Sequence, residues 1–268
     1  MSKQMKIMSF NMRVNTKNDG VNCFDLRKPK ILSMLKAEDP DVIGFQEVTD
    51  EMLDWLVENL PDYVILGHGR AAEYNGEGTP IAYRRNRFLL HAFREKWLSL
   101  TPNTPASKLK GMDQSGCPRI YCCAELVEKE SHKLFAFYNT HLDHKGTMAQ
   151  VAECTVIYRD IVDTGLPYSL MGDFNANDTF PAIQMVLGTA ASLGTVDATA
   201  NIPGTFHGYL MDRVLEGRMS KIDHIFTNMA VDPTQSYAVA DDNACGNFYS
   251  DHNAICAFIS FAEDEVEN

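Results

Sequence analysis

Packed β-sheets with helices on their outer faces, an α/β (α+β) fold, is what this sequence predicts. Three observations carry it: short β-type runs recur along the chain, helical patterns are few and fall between them, and hairpin turns join some neighbours. With 268 residues and 45% hydrophobic composition, the chain has enough apolar side chains for a large core. Runs at 5–10 and 42–45 open the series. Between them Pro29 suits the first turn of a helix bearing Ile31, Leu32 and Leu35, and Asp39-Pro40 ends it. Thr49 can cap a helix with an apolar face of Met52, Leu53, Leu56, Val57 and Leu60. Runs follow at 63–66, 81–84, 88–93, 120–127 and 133–138, with a hairpin turn over 128–132. A helix over 147–163 places Met148, Val151, Thr155, Tyr158 and Val162 on one stripe. The run at 168–171 leads to Asp178 or Thr179, which with Pro181 opens another helix. Runs at 221–226, 236–239 and 254–261 complete the set. No repeat or linker divides the chain, so one domain over 1–268 is expected, with a frayed acidic tail over 263–268. Two irregular stretches, 99–119 and 188–220, are candidate walls of a substrate site.

The formal charge of −12 argues against a broad basic nucleic-acid footprint. Seven cysteines (Cys23, Cys117, Cys122, Cys123, Cys154, Cys245, Cys256) are odd in number and have no repeated Cys-x-x-Cys spacing. That disfavours a full disulfide framework and a structural zinc site, and Cys122 and Cys256 read as small buried apolar residues. No stretch is long and apolar enough to span a membrane, and the first residues lack a signal-peptide core. A soluble protein without a membrane anchor is expected, monomeric by default. It is cytoplasmic as the chain stands, and secreted or periplasmic if a leader has been removed.

The residues at the exit of each apolar run are more informative. The runs deliver Asn11, Glu47, His141 then Asp143, Asp173 with Asn175, Asp223 with His224, and Asp251 with His252. Alternate residues of an extended segment share a side, so Asp173 and Asn175 face one pocket while Phe174 turns to the core. A carboxylate can hold a cation or accept a proton, and an amide can donate to an oxyanion. One polar strand end is commonplace. Six together point to a cleft at the edge of a sandwich.

The segments Ser9-Phe10-Asn11, Gly44-Phe45-Gln46-Glu47-Val48, Asn139-Thr140-His141-Leu142-Asp143, Gly172-Asp173-Phe174-Asn175, Ile222-Asp223-His224-Ile225-Phe226 and Ser250-Asp251-His252 resemble the endonuclease/exonuclease/phosphatase superfamily. They occur in that family's order from residue 9 to 252. The stretch 97–108 is similar to a bacterial subgroup near the nocturnin-like branch. The resemblance implies a DNase-like four-layer sandwich, two central, mostly antiparallel β-sheets flanked by helices. It implies hydrolysis of phosphoester bonds with Mg²⁺, or Mn²⁺, as nuclease, phosphodiesterase or phosphatase.

Roles implied by the resemblance attach residue by residue. Glu47 is the metal ligand, with Asp251 a second through water. His252 meets the attacked phosphate as imidazolium donor or as general base, Asp223 orients it, and Asp173 competes for the task of activating water. His141 stabilises phosphate charge or assists the leaving oxygen, and Asn11 and Asn175 donate positioning hydrogen bonds. Glu77 resembles a family acid that pairs with the catalytic histidine. Arg119 reads equally as a phosphate contact or a surface strand-start arginine. His207 is a substrate contact from a long loop, His144 a supporting or surface residue, and His68, His91 and His132 background. Arg13 stands where abasic-site endonucleases carry a metal-binding aspartate, which leaves Glu47 more alone. Arg84, Arg85 and Arg87 form the densest basic cluster, yet Asn86 among them fits a hairpin turn. With no basic, groove-entering insertion, the expected partner is a phosphoester that is a small molecule or single-stranded nucleic acid. The competing reading is a binding module that has lost chemistry. The complete set of acids, amides and histidines argues against it.

Overall fold

The computed structural model describes residues 4–241 and 246–262. Cys245 and the acidic tail lie outside them. In chain order the elements are β1 (Met5–Asn11), α1 (Phe24–Glu38), β2 (Val42–Gln46), α2 (Asp50–Asn59), β3 (Tyr63–Leu66), β4 (Ile81–Arg84), β5 (Phe88–Trp97), β6 (Ile120–Glu128), β7 (Leu134–His141), α3 (Thr147–Thr164), β8 (Tyr168–Asp173), α4 (Pro181–Ala190), β9 (Val196–Asp197), α5 (Met211–Leu215), β10 (Asp223–Thr227), β11 (Ala230–Val231), β12 (Tyr237–Ala238) and β13 (Ile255–Ser260).

Two mixed sheets result. One runs β11-β13-β1-β2-β4-β3, with β12 also on β13; the other runs β5-β6-β7-β8-β10-β9. Among the described residues only the β1–β2 and β7–β8 pairs are parallel, each joined through a crossover that carries a helix. Period-two alternation sorts the side chains into layers. Met5, Ile7, Phe135, Phe137, Met171 and Ile225 fill the space between the sheets. Met8 and Phe10 turn outward to Ile31, Leu35, Met52 and Leu56 of α1 and α2. Tyr138, Leu170 and Phe226 turn outward to Cys154, Ile157, Ile161 and Ile183 of α3 and α4. The order of layers is therefore helix, sheet, sheet, helix, as expected.

At one end the inter-sheet seam is polar. Gln46 Nε2 donates to Asn139 Oδ1 at 2.7 Å, and Asn139 Nδ2 reaches the carbonyls of Phe45, Thr79 and Pro80 at 2.7, 3.0 and 3.1 Å. Gly44 makes room for this bridge, since a Cβ there would stand 2.6 Å from Asn139 Oδ1.

Three local expectations are corrected. The helix α1 starts at Phe24, so Pro29 lies inside it; the fully buried Arg27 anchors its first turns to neighbouring loops, outweighing the hydrogen bond that Pro29 cannot donate. On α3 the inward face is Ala149, Gln150, Glu153, Cys154, Ile157, Tyr158 and Ile161; of the expected stripe Tyr158 is buried and Val151 packs on the core, while Met148 and Val162 are exposed. The turn around Asn86 links β4 to β5 in the other sheet and closes no hairpin. Two of its arginines are spent on ion pairs, Arg84 with Asp39 and Arg87 with Asp41 and Glu128, and the exposed Arg85 donates to Tyr63 O at 2.9 Å.

Candidate active site

The polar seam opens onto a cleft to which both sheets contribute. From the first sheet, β1 ends in Asn11, β2 is followed by Glu47, and the segment before β13 carries Asp251 and His252. Glu47 adopts φ 60°, a left-handed backbone that swings its side chain away from the strand direction. From the second sheet, His141 pairs in register with Asp173, and Asp173 with Asp223. Three neighbouring strands thus present an imidazole and two carboxylates in one row.

Asp173 is the centre of the arrangement. Its carboxylate accepts Asn11 Nδ2 at 2.9 Å and Asn175 N at 2.8 Å. Its Oδ2 also lies 3.6 Å from His141 Nε2 and 3.8 Å from His252 Nε2. His252 Nδ1 bonds Asp223 Oδ2 at 2.8 Å, and that oxygen also accepts Thr205 Oγ1 at 2.5 Å. Phe206 packs on the His252 ring, 4.9 Å between centroids. Burial, then the facing Asp223, pushes the Asp173 carboxyl up. Burial opposes charge on His252, but Asp223, Asp173 and Asp251 outweigh it and raise the imidazole to about 10. His141 goes the other way, pushed well down by burial and by Arg119 and Arg70. One histidine is therefore held charged and the other neutral, on either side of one carboxylate.

Glu47 lies beside this centre. Asn11 Nδ2 bridges to its Oε1 at 3.2 Å, and Val14 N donates to its Oε2 at 2.8 Å. Asp251 is close enough that, after burial, the Glu47 charge raises its carboxyl further against the pull of His252. Arg13, ion-paired with Asp19 at 2.9 Å, stands 3.9 Å from Asp251 Oδ2. The carboxylates of Glu47 and Asp251 offer an oxygen-only donor set, which suits a hard divalent cation, while Asn11 positions Glu47 through its Nδ2. Asp173, Asp223 and His252 also offer one ligand atom each within 4.8 Å of one another, although a hydrogen bond already joins His252 Nδ1 to Asp223 Oδ2.

The remaining expected residues divide. Asn175 sits at φ 49° just after the strand, and its Nδ2 is tied to Leu142 O at 3.1 Å; Phe174 is fully buried in the core, as alternation requires. Arg119 is 2% exposed, which overturns its surface reading; it bonds His144 Nδ1 at 2.9 Å while its Nε and Nη1 have no hydrogen-bond partner. Glu77 is ion-paired with Arg70 at 2.9 Å, so the expected pairing with a catalytic histidine is corrected. His207 is fully buried, with its ring packed at a tilt against Phe248, 4.6 Å between centroids, so it does not reach the surface as a loop contact would. Its backbone N instead donates to Asp251 O at 3.0 Å, together with Gly208 N at 3.1 Å.

Several supporting residues carried no sequence signal. Arg70 acts on His141 through charge. Gln150 of α3 donates to Asp143 O at 2.7 Å and Asn175 O at 3.1 Å, joining two cleft loops. Glu153 accepts Asp143 N at 2.8 Å, and its burial raises its carboxyl from 4.5 to about 8. A carboxyl raised by folding contributes stability that is fully present below its unfolded value and lost as pH rises through the folded one. Denaturant titrations are therefore expected to show stability falling between about pH 5 and 9, by on the order of 4 kcal/mol. In Glu153→Gln that component is absent; an unchanged pH slope would contradict it.

The whole constellation lies within a match of residues 8–252 to the endonuclease/exonuclease/phosphatase family. The chain belongs to that family. Its members are phosphoester hydrolases. The chain is 27% identical to the endonuclease/exonuclease/phosphatase from Bacteroides vulgatus, with a TM-score of 0.87 over 97% of this chain and 100% of that one. It is 26% identical to a Bacteroides thetaiotaomicron mannosyl-6-phosphatase, with a TM-score of 0.79 over 95% and 99% of the two chains. The human nocturnin catalytic domain shares the fold at 18% identity, with a TM-score of 0.70 over 98% and 97%. Among the described residues, no helix is long and apolar enough to cross a membrane.

Proposed function

We propose that this chain is an active, divalent-metal-dependent hydrolase of small-molecule phosphoesters, with phosphomonoesters as the first class to test. The observation that carries the proposal is Asp173 Oδ2 lying 3.6 and 3.8 Å from two imidazoles of opposite charge preference. Glu47, with Asp251 beside it, would hold Mg²⁺ or Mn²⁺. When bound, the ion supplies charge neutralisation at a phosphoryl oxygen and a position for water. Asp173, oriented by Asn11 and by Asn175 N, takes a proton from the attacking water. His252, kept as imidazolium by Asp223, donates to phosphate oxygens as negative charge develops. Neutral His141 donates to the phosphate or the leaving oxygen. Arg119, whose Nη1 has no hydrogen-bond partner, offers a further donor to an anion.

A small substrate is favoured by the pairing of the Arg84 and Arg87 charges with acids, which leaves no broad basic track there for a nucleic-acid backbone. Similarity over almost the full chain to a sugar-phosphate phosphatase points the same way. The test is an assay panel of sugar phosphates, phosphoinositides, nucleotide cofactors and single-stranded oligonucleotides, with Mg²⁺, Mn²⁺ or chelator. Metal-dependent release of phosphate from a small monoester is expected. Preferred cleavage of oligonucleotides would transfer the assignment to a nuclease, and no turnover with either metal would restore the binding-module reading. Glu47→Gln is expected to raise the Mg²⁺ concentration for half-maximal activity at least about tenfold. An unchanged metal requirement would move the ligand role elsewhere.

A further inference from the structure

A second group of charged side chains lies just past the catalytic loop, on its far side. His224 follows Asp223 on β10, is fully buried, and has its ring fixed by stacking on Phe226 at 5.4 Å and by the edge of Phe174 at 5.5 Å. Its Nε2 is 3.0 Å from Ala176 O. A carbonyl can only accept, so Nε2 carries the proton and, in the neutral ring, Nδ1 presents a lone pair. That Nδ1 has no hydrogen-bond partner. It faces Asp178 Oδ1 and Asp197 Oδ2, each at 3.8 Å.

A buried imidazole nitrogen facing two carboxylates needs a positive centre between them, its own proton or a bound cation. Lys221 supplies part of that charge: its Nζ is 2.8 Å from Asp197 Oδ2 and 3.2 Å from Asp178 Oδ1. One ammonium against two carboxylates leaves a negative charge beside an imidazole nitrogen that the ammonium does not satisfy. The three ligand atoms lie within 4.8 Å of one another. Ligands about 2.0–2.2 Å from one ion stand roughly 3–4 Å apart, so modest closure suffices. The Asp178 side chain is 55% exposed, which leaves a route for an ion from solvent.

We propose that Asp178, Asp197 and His224 form a second, non-catalytic site for a divalent transition-metal ion with imidazole and carboxylate preference, Zn²⁺ being the representative case. The donor set separates it from the catalytic cleft: an imidazole with two carboxylates favours zinc-like ions, whereas Glu47 and Asp251 offer oxygen alone. The Lys221 ammonium is the internal competitor that the ion displaces, so affinity is set partly by lysine. Binding would tie the loop after Asp173 to β9 and β10, because Asp178 lies on that loop and the other two ligands on the strands.

Cobalt(II) is the probe, since its visible absorption reports nitrogen and oxygen ligation directly. The purified full-length protein is titrated beside Asp178→Asn, His224→Ala, Lys221→Met and Glu47→Gln, with folding checked by circular dichroism. Asp178→Asn changes an exposed position and keeps the test open if His224→Ala fails to fold. One equivalent of Co²⁺ is expected to be lost in Asp178→Asn and His224→Ala and retained in Glu47→Gln. Lys221→Met is expected to bind that equivalent about tenfold more tightly. Wild-type stoichiometry and spectrum in Asp178→Asn would overturn the site. So would loss of every equivalent in Glu47→Gln, or unchanged affinity in Lys221→Met.

Discussion

Asp173→Asn is expected to lower kcat by about 10³-fold while KM changes little. The substitution keeps the shape of the side chain and an oxygen for the Asn175 backbone bond, but removes the proton acceptor between the two imidazoles. It also removes one of the three acids that raise His252, so the imidazole should titrate below its present value of about 10, an effect that NMR can follow. Folding feels two opposed effects: burial and Asp223 push the Asp173 carboxyl up, so its ionised form costs stability near neutral pH, whereas the new amide NH2 faces the Asn11 Nδ2 donor. The variant should fold with a Tm near that of the parent. Retention of kcat in Asp173→Asn, with its loss in His252→Asn, would assign water activation to the histidine instead. A double variant no slower than either single one is expected if both groups serve one step.

Arg27→Met is expected to cost about 4 kcal/mol of stability in denaturant unfolding. The guanidinium is fully buried without a carboxylate partner on it. It donates to Asn22 O at 2.6 Å, Met12 O at 2.7 Å, Tyr249 O at 2.6 Å and Arg13 O at 3.0 Å. Methionine keeps the apolar stem and leaves those carbonyls to find new donors. Met12 and Arg13 directly follow Asn11, and Tyr249 lies just before Asp251-His252, so turnover should fall together with stability. A loss under about 1 kcal/mol would show that water replaces the guanidinium at low cost.

The strand ends were legible because a strand has one rule, alternation, and a motif at its exit needs no tertiary information. Ser9-Phe10-Asn11 already sets a polar Asn11 at the exit of an apolar run, where a cleft is expected. Helix α3 shows where such reading fails. Its buried face carries Gln150 and Glu153, polar groups that hold the loops of Asp143 and Asn175, so an apolar stripe drawn through Tyr158 and Val151 was displaced to take in the exposed Met148 and Val162. Arg27 escaped for the same reason, since an arginine in a helix reads as solvated until four carbonyls are brought around it. Glu77 and His207 had the right chemistry but the wrong neighbours. Arg70 and Phe248 took them up, and only the folded chain decides that.

The amide bridge between Gln46 and Asn139 has a wider meaning. Apolar faces can slide over one another at little cost, whereas a hydrogen bond of 2.7 Å tolerates almost no displacement. Asn11, Glu47 and His252 are carried by one sheet, and His141, Asp173 and Asp223 by the other. The reacting groups therefore behave like the jaws of a vice, with Gln46 and Asn139 as the pin that sets their alignment. Turnover becomes a gauge of how the two halves of the sandwich are seated, and a shift of the seam would be felt in the chemistry before any element unfolded.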